Sequence, residues 1–302
     1  MTFLKTSLLA ASALALTLSA ASAGENKLTS NQSGFDGTTS IYQTGSKNSA
    51  ISTDSGDANQ SYIDQKGKEG IATITITGED NYGNSGAITQ GAGGVRNGAT
   101  LSITNAQENS ATILQDVDGR VGSNSAIVSI DGSRDNRVYV AQSGYNTTSD
   151  VNLSGSSDGN TITVTQDGTN GLNVDLTNES DGNTITVSQF GGNTADISFN
   201  MSSDNELGVY QGAPGGNVNV TFDNASDNVG NIWQSGGGNN VDLGVFSNDN
   251  TFGLTQIGTD GKITGMIGGE GGHTVNVYQA DAGNTANFSI TGTGNTFNSS
   301  QY

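Results

Sequence analysis

The 302-residue sequence contains no cysteine, one proline and one histidine. Without cysteine the chain has no disulfide, no thiol nucleophile and no thiolate metal site. With His273 as its one histidine, the sequence offers no convincing Ser–His–Asp set. The near absence of proline leaves almost every backbone N–H free to donate in a ladder of strands.

Hydrophobic residues are also scarce, at 32% of the chain, and aromatic residues make up 6%. Such a composition, taken alone, is close to that of a disordered chain. Basic residues are few as well, because 10 Lys and Arg stand against 29 Asp and Glu, giving a net charge of −19. This charge disfavours nucleic acid as a partner.

One long apolar run is present, from Leu8 to Leu18, preceded by Lys5 and followed by Ala21-Ser22-Ala23. This order of features predicts that residues 1–23 are a signal peptide and that the mature chain begins near Gly24. A membrane anchor is the weaker alternative, because the run is shorter than the ~20 residues that span a bilayer. We therefore expect a secreted protein that is not an integral membrane protein.

A sequence repeat spans nearly the whole chain. Glutamines recur at intervals of 22 to 27 residues, at Gln43, Gln65, Gln90, Gln115, Gln142, Gln166, Gln189, Gln211, Gln234, Gln256, Gln279 and Gln301. Six residues before each glutamine from Gln65 onwards stands Asn59, Asn84, Asn109, Asn136, Asn160, Asn183, Asn205, Asn228, Asn250, His273 or Asn295. A fixed period of this length indicates stacked, equivalent structural units.

Each unit reads as strand, turn, strand and turn. Asn183, Ile185, Val187 and Gln189 alternate with polar residues, which is the period of a half-buried strand. The segment 193–199 alternates in the same way after a glycine turn. We predict an all-β fold, a β-solenoid of about 11–12 strand–turn–strand repeats with two parallel in-register sheets. Stacking at about 4.8 Å would let the inward amides bond to one another along the axis.

The repeat resembles a known family. Three segments carry the resemblance: Gln43-Thr44-Gly45-Ser46-Lys47-Asn48-Ser49-Ala50, Gln189-Phe190-Gly191-Gly192-Asn193-Thr194-Ala195, and Gln279 to Ala286. They follow, with a deletion in the second and without the glycine in the third, the curlin repeat pattern Gln-x-Gly-x-x-Asn-x-Ala. The resemblance implies a secreted subunit of curli-like functional amyloid fibres, which self-associates by end-to-end strand stacking for cell adhesion and biofilm matrix.

The resemblance also implies two partners, a nucleator protein and an outer-membrane secretion channel. A monomeric β-solenoid surface adhesin, or a protein that anchors or nucleates fibres, is the alternative. Residues 38–302 form the repeats. The segment of residues 24–37 is either a targeting region for the channel or a half-repeat that caps the stack.

This chain departs from the curlin pattern in two places of the repeat. Where the family commonly opens the first strand with Ser, this chain has Asn. Where the family places a second Gln, this chain has Asp54, Ile76, Ile103, Ile130, Leu153, Leu176, Phe199, Phe222, Val245, Ile267 and Ile290. We expect the apolar residues at this place to stabilise each chain by burial.

A row of acidic residues occupies the turns, at Asp158, Asp181, Asp204, Asp227 and Asp249. Asp suits such turns, and this is the simpler interpretation; a charge barrier against premature association and a calcium site are alternatives. We expect His273 to be a variant of the repeated Asn and not a general base. Trp233 and Tyr210 alternate outward, as exposed strand residues or as a surface for polysaccharide. The sequence predicts no enzyme, no cofactor and no metal site.

Overall fold

The structure is a computed structural model that describes residues 15–20, 25–78, 81–92, 96–115 and 123–302, and these residues form β-strands and no helix. The strands in chain order are β1 (Ala15–Ala20), β2 (Lys27–Ser33), β3 (Thr38–Gln43), β4 (Ser49–Ser55), β5 (Gln60–Gln65), β6 (Ile71–Thr77), β7 (Ser85–Gln90), β8 (Gly98–Thr104), β9 (Ser110–Gln115), β10 (Ser125–Asp131), β11 (Arg137–Ser143), β12 (Thr148–Ser154), β13 (Thr161–Asp167), β14 (Thr184–Phe190), β15 (Glu206–Gln211), β16 (Val229–Ser235), β17 (Leu243–Val245), β18 (Thr251–Ile257), β19 (Lys262–Ile267), β20 (Thr274–Gln279), β21 (Thr285–Ile290) and β22 (Thr296–Gln301).

The strands build a β-solenoid of about eleven turns with parallel sheets, which confirms the predicted fold. One sheet of 13 strands, here called the main sheet, runs from β1 and β3 through β13 and β14 to β22. The opposite side is the return side. It holds a 6-stranded sheet from β2 to β12 and a 3-stranded sheet of β17, β19 and β21. Every pairing is parallel, and equivalent residues lie beside one another, as Gln166 beside Gln189.

The core is a thin layer between the two sides of the solenoid. Inward positions alternate along each strand, so β14 shows the burial pattern expected of a strand covered on one face. The inward residues form columns along the axis, such as Val140, Val164 and Val187, all fully buried. Each turn of the chain thus completes its core by packing on the turns before and after it.

The return side differs from the prediction between residues 171 and 242. The segment 193–199 was expected to form a regular second strand, but here the backbone makes isolated bridges such as Thr194–Asn217 and Asn217–Asn240. Asp175 and Ser198 have φ angles of 86° and 81°, which interrupt the extended conformation. The inward side chains are nevertheless buried, so the core is continuous although the strand is not.

The N-terminal region contains two strands. β1 lies within the predicted signal peptide and pairs with β3, whereas residues 1–14 and 21–24 lie outside the described residues. β2 falls in the segment 24–37 and pairs with β4 on the return side. This segment therefore provides half a turn of the solenoid, whatever its role in secretion.

Two inward glycines make room for large neighbours. A Cβ atom added to Gly230 would lie 2.0 Å from the ring of Phe252, the next residue in its column. Gly265 has the same relation to Phe288, with a closest approach of 2.1 Å. Glycine is required here because its neighbour fills the space and not because of its backbone angles.

We predict that Gly230→Ala destabilises the solenoid by about 1–3 kcal/mol, because the new methyl group overlaps the Phe252 ring. Gly208→Ala is the matched control, since its added Cβ would meet no atom closer than 3.9 Å on the outward face. Urea unfolding followed by circular dichroism measures both. Equal stabilities of the two variants would contradict the packing argument.

Candidate functional site

The repeated glutamines form one continuous chain of side-chain hydrogen bonds inside the main sheet. In each pair the Nε2 amide donates to the Oε1 atom of the glutamine in the next turn, from Gln43 to Gln301, over 2.6–3.2 Å. All these side chains are buried except that of Gln301. The chain of bonds supplies partners that a buried amide would otherwise lack.

Several glutamines also join the two sides of the solenoid. The second Nε2 hydrogen of Gln115 is donated to the backbone carbonyl of Gly98, at 2.8 Å, and that of Gln142 to Ser125, at 2.9 Å. Because one amide bonds both along the axis and across the core, it fixes the main strand relative to the return strand of the same region.

The repeated asparagines form a second ladder that runs in the opposite direction. The backbone N–H and the Nδ2 group of each asparagine donate to Oδ1 of the asparagine in the preceding turn. The first such pair is Asn84 with Asn59, and the last is Asn250 with Asn228. The distances lie between 2.8 and 3.2 Å. Both ladders therefore have a direction along the axis.

His273 continues the asparagine ladder. Its backbone N–H donates to Asn250 Oδ1 at 2.9 Å, and its Nδ1 atom accepts from the backbone N–H of Asn295 at 3.1 Å. The Nε2 atom lies 3.1 Å from the carbonyl of Gly268, which can only accept. The neutral imidazole with its proton on Nε2 satisfies both contacts, so the ring has a structural role in place of asparagine.

The structure contains a third ladder that was not predicted from the sequence, although the repeat pattern includes its asparagine. Asparagines just after the first strand accept the backbone N–H of the equivalent residue in the following turn, as Asn48 Oδ1 does from Gly70 and Asn193 Oδ1 from Gly216. The asparagines that accept such a bond include Asn26, Asn48, Asn97, Asn124, Asn170, Asn193 and Asn239. The Asn of the repeat pattern Gln-x-Gly-x-x-Asn marks this position.

The acidic turn residues have local partners. Asp204, Asp227 and Asp249 have φ angles of 54°, 58° and 59°, a left-handed conformation that Asp tolerates well. Asp158 Oδ1 accepts the backbone N–H of Arg134, and Asp181 Oδ1 accepts that of Asp158. Within the described ranges no group of three or more His, Cys, Asp or Glu residues is arranged to hold a metal ion.

One buried carboxyl group differs from these turn acids. Asp54 lies in the inward column that later holds Ile76 and Ile103, and it is only 2% exposed. Burial raises the pKa of Asp54 from 3.8 to about 6, although the hydrogen bond that Asn59 Nδ2 donates to Oδ1 acts in the opposite direction. Its other oxygen, Oδ2, is buried without a hydrogen-bond partner.

The interior of the first turns is unusually polar. Among the described residues, the buried side-chain atoms without a partner belong, apart from Asp175 Oδ1, to β2, β3, β4 and β5. They are Ser30 Oγ, Gln32 Oε1, Thr39 Oγ1, Ser52 Oγ, Asp54 Oδ2 and Ser61 Oγ. From β6 onwards the equivalent return positions hold Ile74 and Leu101. The N-terminal end is therefore less well satisfied than the rest of the core.

Aromatic side chains cluster on the outward face of the main sheet. Tyr210 stacks on Trp233 with ring centroids 4.2 Å apart, and Phe190 lies 5.8 Å from Tyr210. Trp233 is 45% exposed and Phe190 is 39% exposed. Because Tyr210 and Trp233 cover each other's faces along the axis, the cluster offers mainly ring edges to solvent.

The two ends of the solenoid, as far as the structure describes them, expose strand edges with unfilled bonding capacity. β22 ends the main sheet and pairs with β20 alone, while β21 ends the return side and pairs with β19 alone. At the other end β2 pairs with β4 alone. An open strand edge presents unpaired backbone donors and acceptors to another chain.

These features define a parallel β-solenoid whose turns are joined by internal amide ladders. A comparison with protein families matches the curlin associated repeat to residues 34–67, a stretch that includes β3, β4 and β5. The chain therefore carries a curlin repeat, which confirms the resemblance, and this family is a structural, non-enzymatic one. No curated protein matched the chain. The part of the chain that the structure describes contains no helix suited to crossing a membrane.

We predict that Gln189→Leu destabilises the protein by about 1–3 kcal/mol, because it removes the acceptor of Gln166 and the donor to Gln211. Gln301→Leu is the matched control, since the last glutamine has one ladder neighbour, Gln279, and is less buried. Urea unfolding should show the larger loss for the internal position. Losses of equal size would mean that the ladder contributes little to stability.

Proposed function

We propose that this protein is a secreted structural subunit of curli-like amyloid fibres, which assembles end to end by β-strand stacking. The observation that carries the proposal is the complementarity of the two ends of the solenoid. The curlin repeat at residues 34–67 supports it. The subunit would contribute to cell adhesion and to the biofilm matrix.

The strand pattern at the two ends fits one arrangement of successive copies. Among the described residues, the strand at the C-terminal edge of the main sheet is β22, and the first strand after residue 24 is a return strand, β2. A following copy would place its β2 on β21 and its β3 on β22. Each junction would then complete one full turn of the solenoid.

The direction of the ladders favours the same arrangement. Gln301 donates to the carbonyl of Thr285 and is the last described glutamine of the ladder, whereas Gln43 is the first and would offer its Oε1 atom. The asparagine ladder runs oppositely, so Asn295 Oδ1 would accept the backbone N–H of Gly37, which stands at the asparagine position of the first turn. If two copies met through the same end of the solenoid, ladder donors would face donors and ladder acceptors would face acceptors.

Signal-peptide removal would prepare the N-terminal end. β1 pairs with the edge of β3 that a preceding copy would need. If the leader of residues 1–23 is cleaved on secretion, β1 leaves with it and β3 becomes available. The secretion channel and a nucleator are partners that the family resemblance supports, with residues 24–37 as the candidate segment for the channel.

The first experiment is to refold residues 24–302 from denaturant and to follow thioflavin fluorescence, sedimentation and fibre diffraction. We expect fibres that seed fresh protein and give a meridional reflection at about 4.7–4.8 Å. A soluble β-rich monomer that does not respond to seeds would overturn the proposal. It would favour the monomeric adhesin, for which the exposed cluster of Phe190, Tyr210 and Trp233 is a candidate surface.

A second prediction concerns the junction itself. Gln301→Leu removes the donor that would meet Gln43 of the next copy, so seeded elongation should slow by about 5- to 150-fold, corresponding to about 1–3 kcal/mol. Asn298→Leu is the control, because Asn298 lies on the outward face of β22, where it bonds Asn276. Equal elongation rates for the two variants would argue against axial pairing of the ladders.

A further inference from the structure

Gln32 and Asp54 are neighbours in one inward column at the N-terminal end. β2 and β4 pair in register with Gln32 opposite Asp54. Each side chain has one buried oxygen without a hydrogen-bond partner, Oε1 in Gln32 and Oδ2 in Asp54. Oxygen atoms of an amide and of a carboxylate can only accept hydrogen bonds, so the ionised carboxylate cannot satisfy Gln32 Oε1.

Gly37 shows how closely the two side chains approach the same point. A Cβ atom added there would lie 2.1 Å from Gln32 Nε2 and 3.6 Å from Asp54 Oδ2. Gln32 thus fills the space that a side chain at the asparagine position of the first turn would occupy. The amide and the carboxyl group therefore lie near each other, at the point where the asparagine ladder begins.

Among the described residues, no cation lies close enough to compensate the Asp54 carboxylate. On β2 the one charged residue is Lys27, at the opposite end of the strand from Gln32, and β6 has no titratable residue. Across the core, β3 and β5 carry Tyr42, Tyr62 and Asp64, which alternate with the inward residues and so lie on the outward face. Asp64 pairs there with Lys66, at 2.8 Å.

The adjoining turns hold the remaining charges. Asp57, in the turn after β4, accepts the backbone N–H of Phe35. Lys47, in the turn before β4, lies 4.0 Å from Glu25 and is exposed. Asp36, in the turn after β2, is exposed. Asp54 thus has Asn59 as its hydrogen-bond donor and faces no opposite charge in the core.

We propose that Asp54 is a proton-operated latch for the N-terminal half-turn, in which the protonated Oδ2 donates to Gln32 Oε1 and holds β2 on β4. The proton comes from solvent, and one bond satisfies both unpartnered oxygens. Since β2 is the strand that would receive β21 of another copy, the latch makes that end competent for assembly in mild acid. This last step rests on the proposed function, whereas the latch itself does not.

The direction of the pH effect follows from burial. In the folded state burial raises the pKa of Asp54 to about 6, whereas the ordinary pKa of an aspartate side chain, which applies to the unfolded chain, is 3.8. The Asp54 contribution to stability is therefore greatest below pH 3.8, declines as the pH rises, and is lost above about pH 6. Between pH 5 and pH 7 the closing equilibrium of β2 should change by about tenfold.

The latch is tested on monomeric residues 24–302, kept below the concentration at which seeds elongate. Carbon-13 NMR of the Asp54 carboxyl group should show titration near pH 6. Hydrogen exchange of the β2 amides, corrected for intrinsic rates, should show about tenfold stronger protection at pH 5 than at pH 7. Asp54→Asn supplies a neutral donor at every pH, so its β2 protection should be high and independent of pH.

Asp36→Asn is the matched control, because it removes one exposed carboxylate from the neighbouring turn and leaves Asp54 in place. It should keep the pH dependence of the original chain. Titration of Asp54 near its ordinary value, or a pH dependence that persists in Asp54→Asn, would overturn the latch. Both measurements are independent of fibre formation.

Seeded elongation at pH 5 and pH 7 then tests the coupling to assembly. For each chain we compare the ratio of the elongation rate at pH 5 to the rate at pH 7. This ratio should be larger for the original chain and for Asp36→Asn than for Asp54→Asn. Because all three chains become less negative at pH 5, the comparison removes the general effect of lower net charge. If Asp54 titrates as expected but the three ratios agree, the coupling is wrong. If no chain elongates, the proposed function fails while the latch stands.

Discussion

The buried side-chain amide is the group on which the rest of this structure depends. It has two donor hydrogens and an acceptor oxygen, and leaving them unpaired inside a protein is unfavourable. An identical amide in the next turn, one strand spacing away, supplies a hydrogen-bond partner, and that amide in turn requires another in the turn after it. This requirement holds the turns in register, because a shift by one residue would turn every glutamine of the main sheet outward.

The contribution of the apolar columns to stability differs between the first turns and the later turns of the solenoid. From β6 onwards the return side contributes residues such as Ile76 and Ile103, which are fully buried and need no partner. In the first turns the inward return positions instead hold Ser52 and Asp54, and Ser52 Oγ and Asp54 Oδ2 are buried without hydrogen-bond partners. Stability in a solenoid is a sum of local terms between neighbouring turns. The N-terminal turns, where the curlin repeat matches, are thus the part in which opening is least opposed.

The sequence was sufficient to predict the solenoid and its main strands, because identical residues at a fixed period leave few other arrangements. It did not predict the interruption of the return side, since Asp175 and Ser198 occupy outward positions where polar residues are expected in any case. The pairing of Gly230 with Phe252 depends on the fit between adjacent turns, which no single repeat contains. The pairing of β1 with β3 falls in a segment whose composition indicates a leader.

Each ladder has a direction, so its first and last described members expose different bonding groups. The last donor of the glutamine ladder and the last acceptor of the asparagine ladder lie at the same end, at Gln301 and Asn295. Water can bond to either group alone. A partner chain that bonds to both must present an acceptor and a donor at the spacing of the repeat, together with a matching strand edge. In the proposed assembly, the first turn of another copy has this arrangement once β1 has left the edge of β3. Under that proposal, the same bonds that fix the internal register would select the partner and the direction of growth.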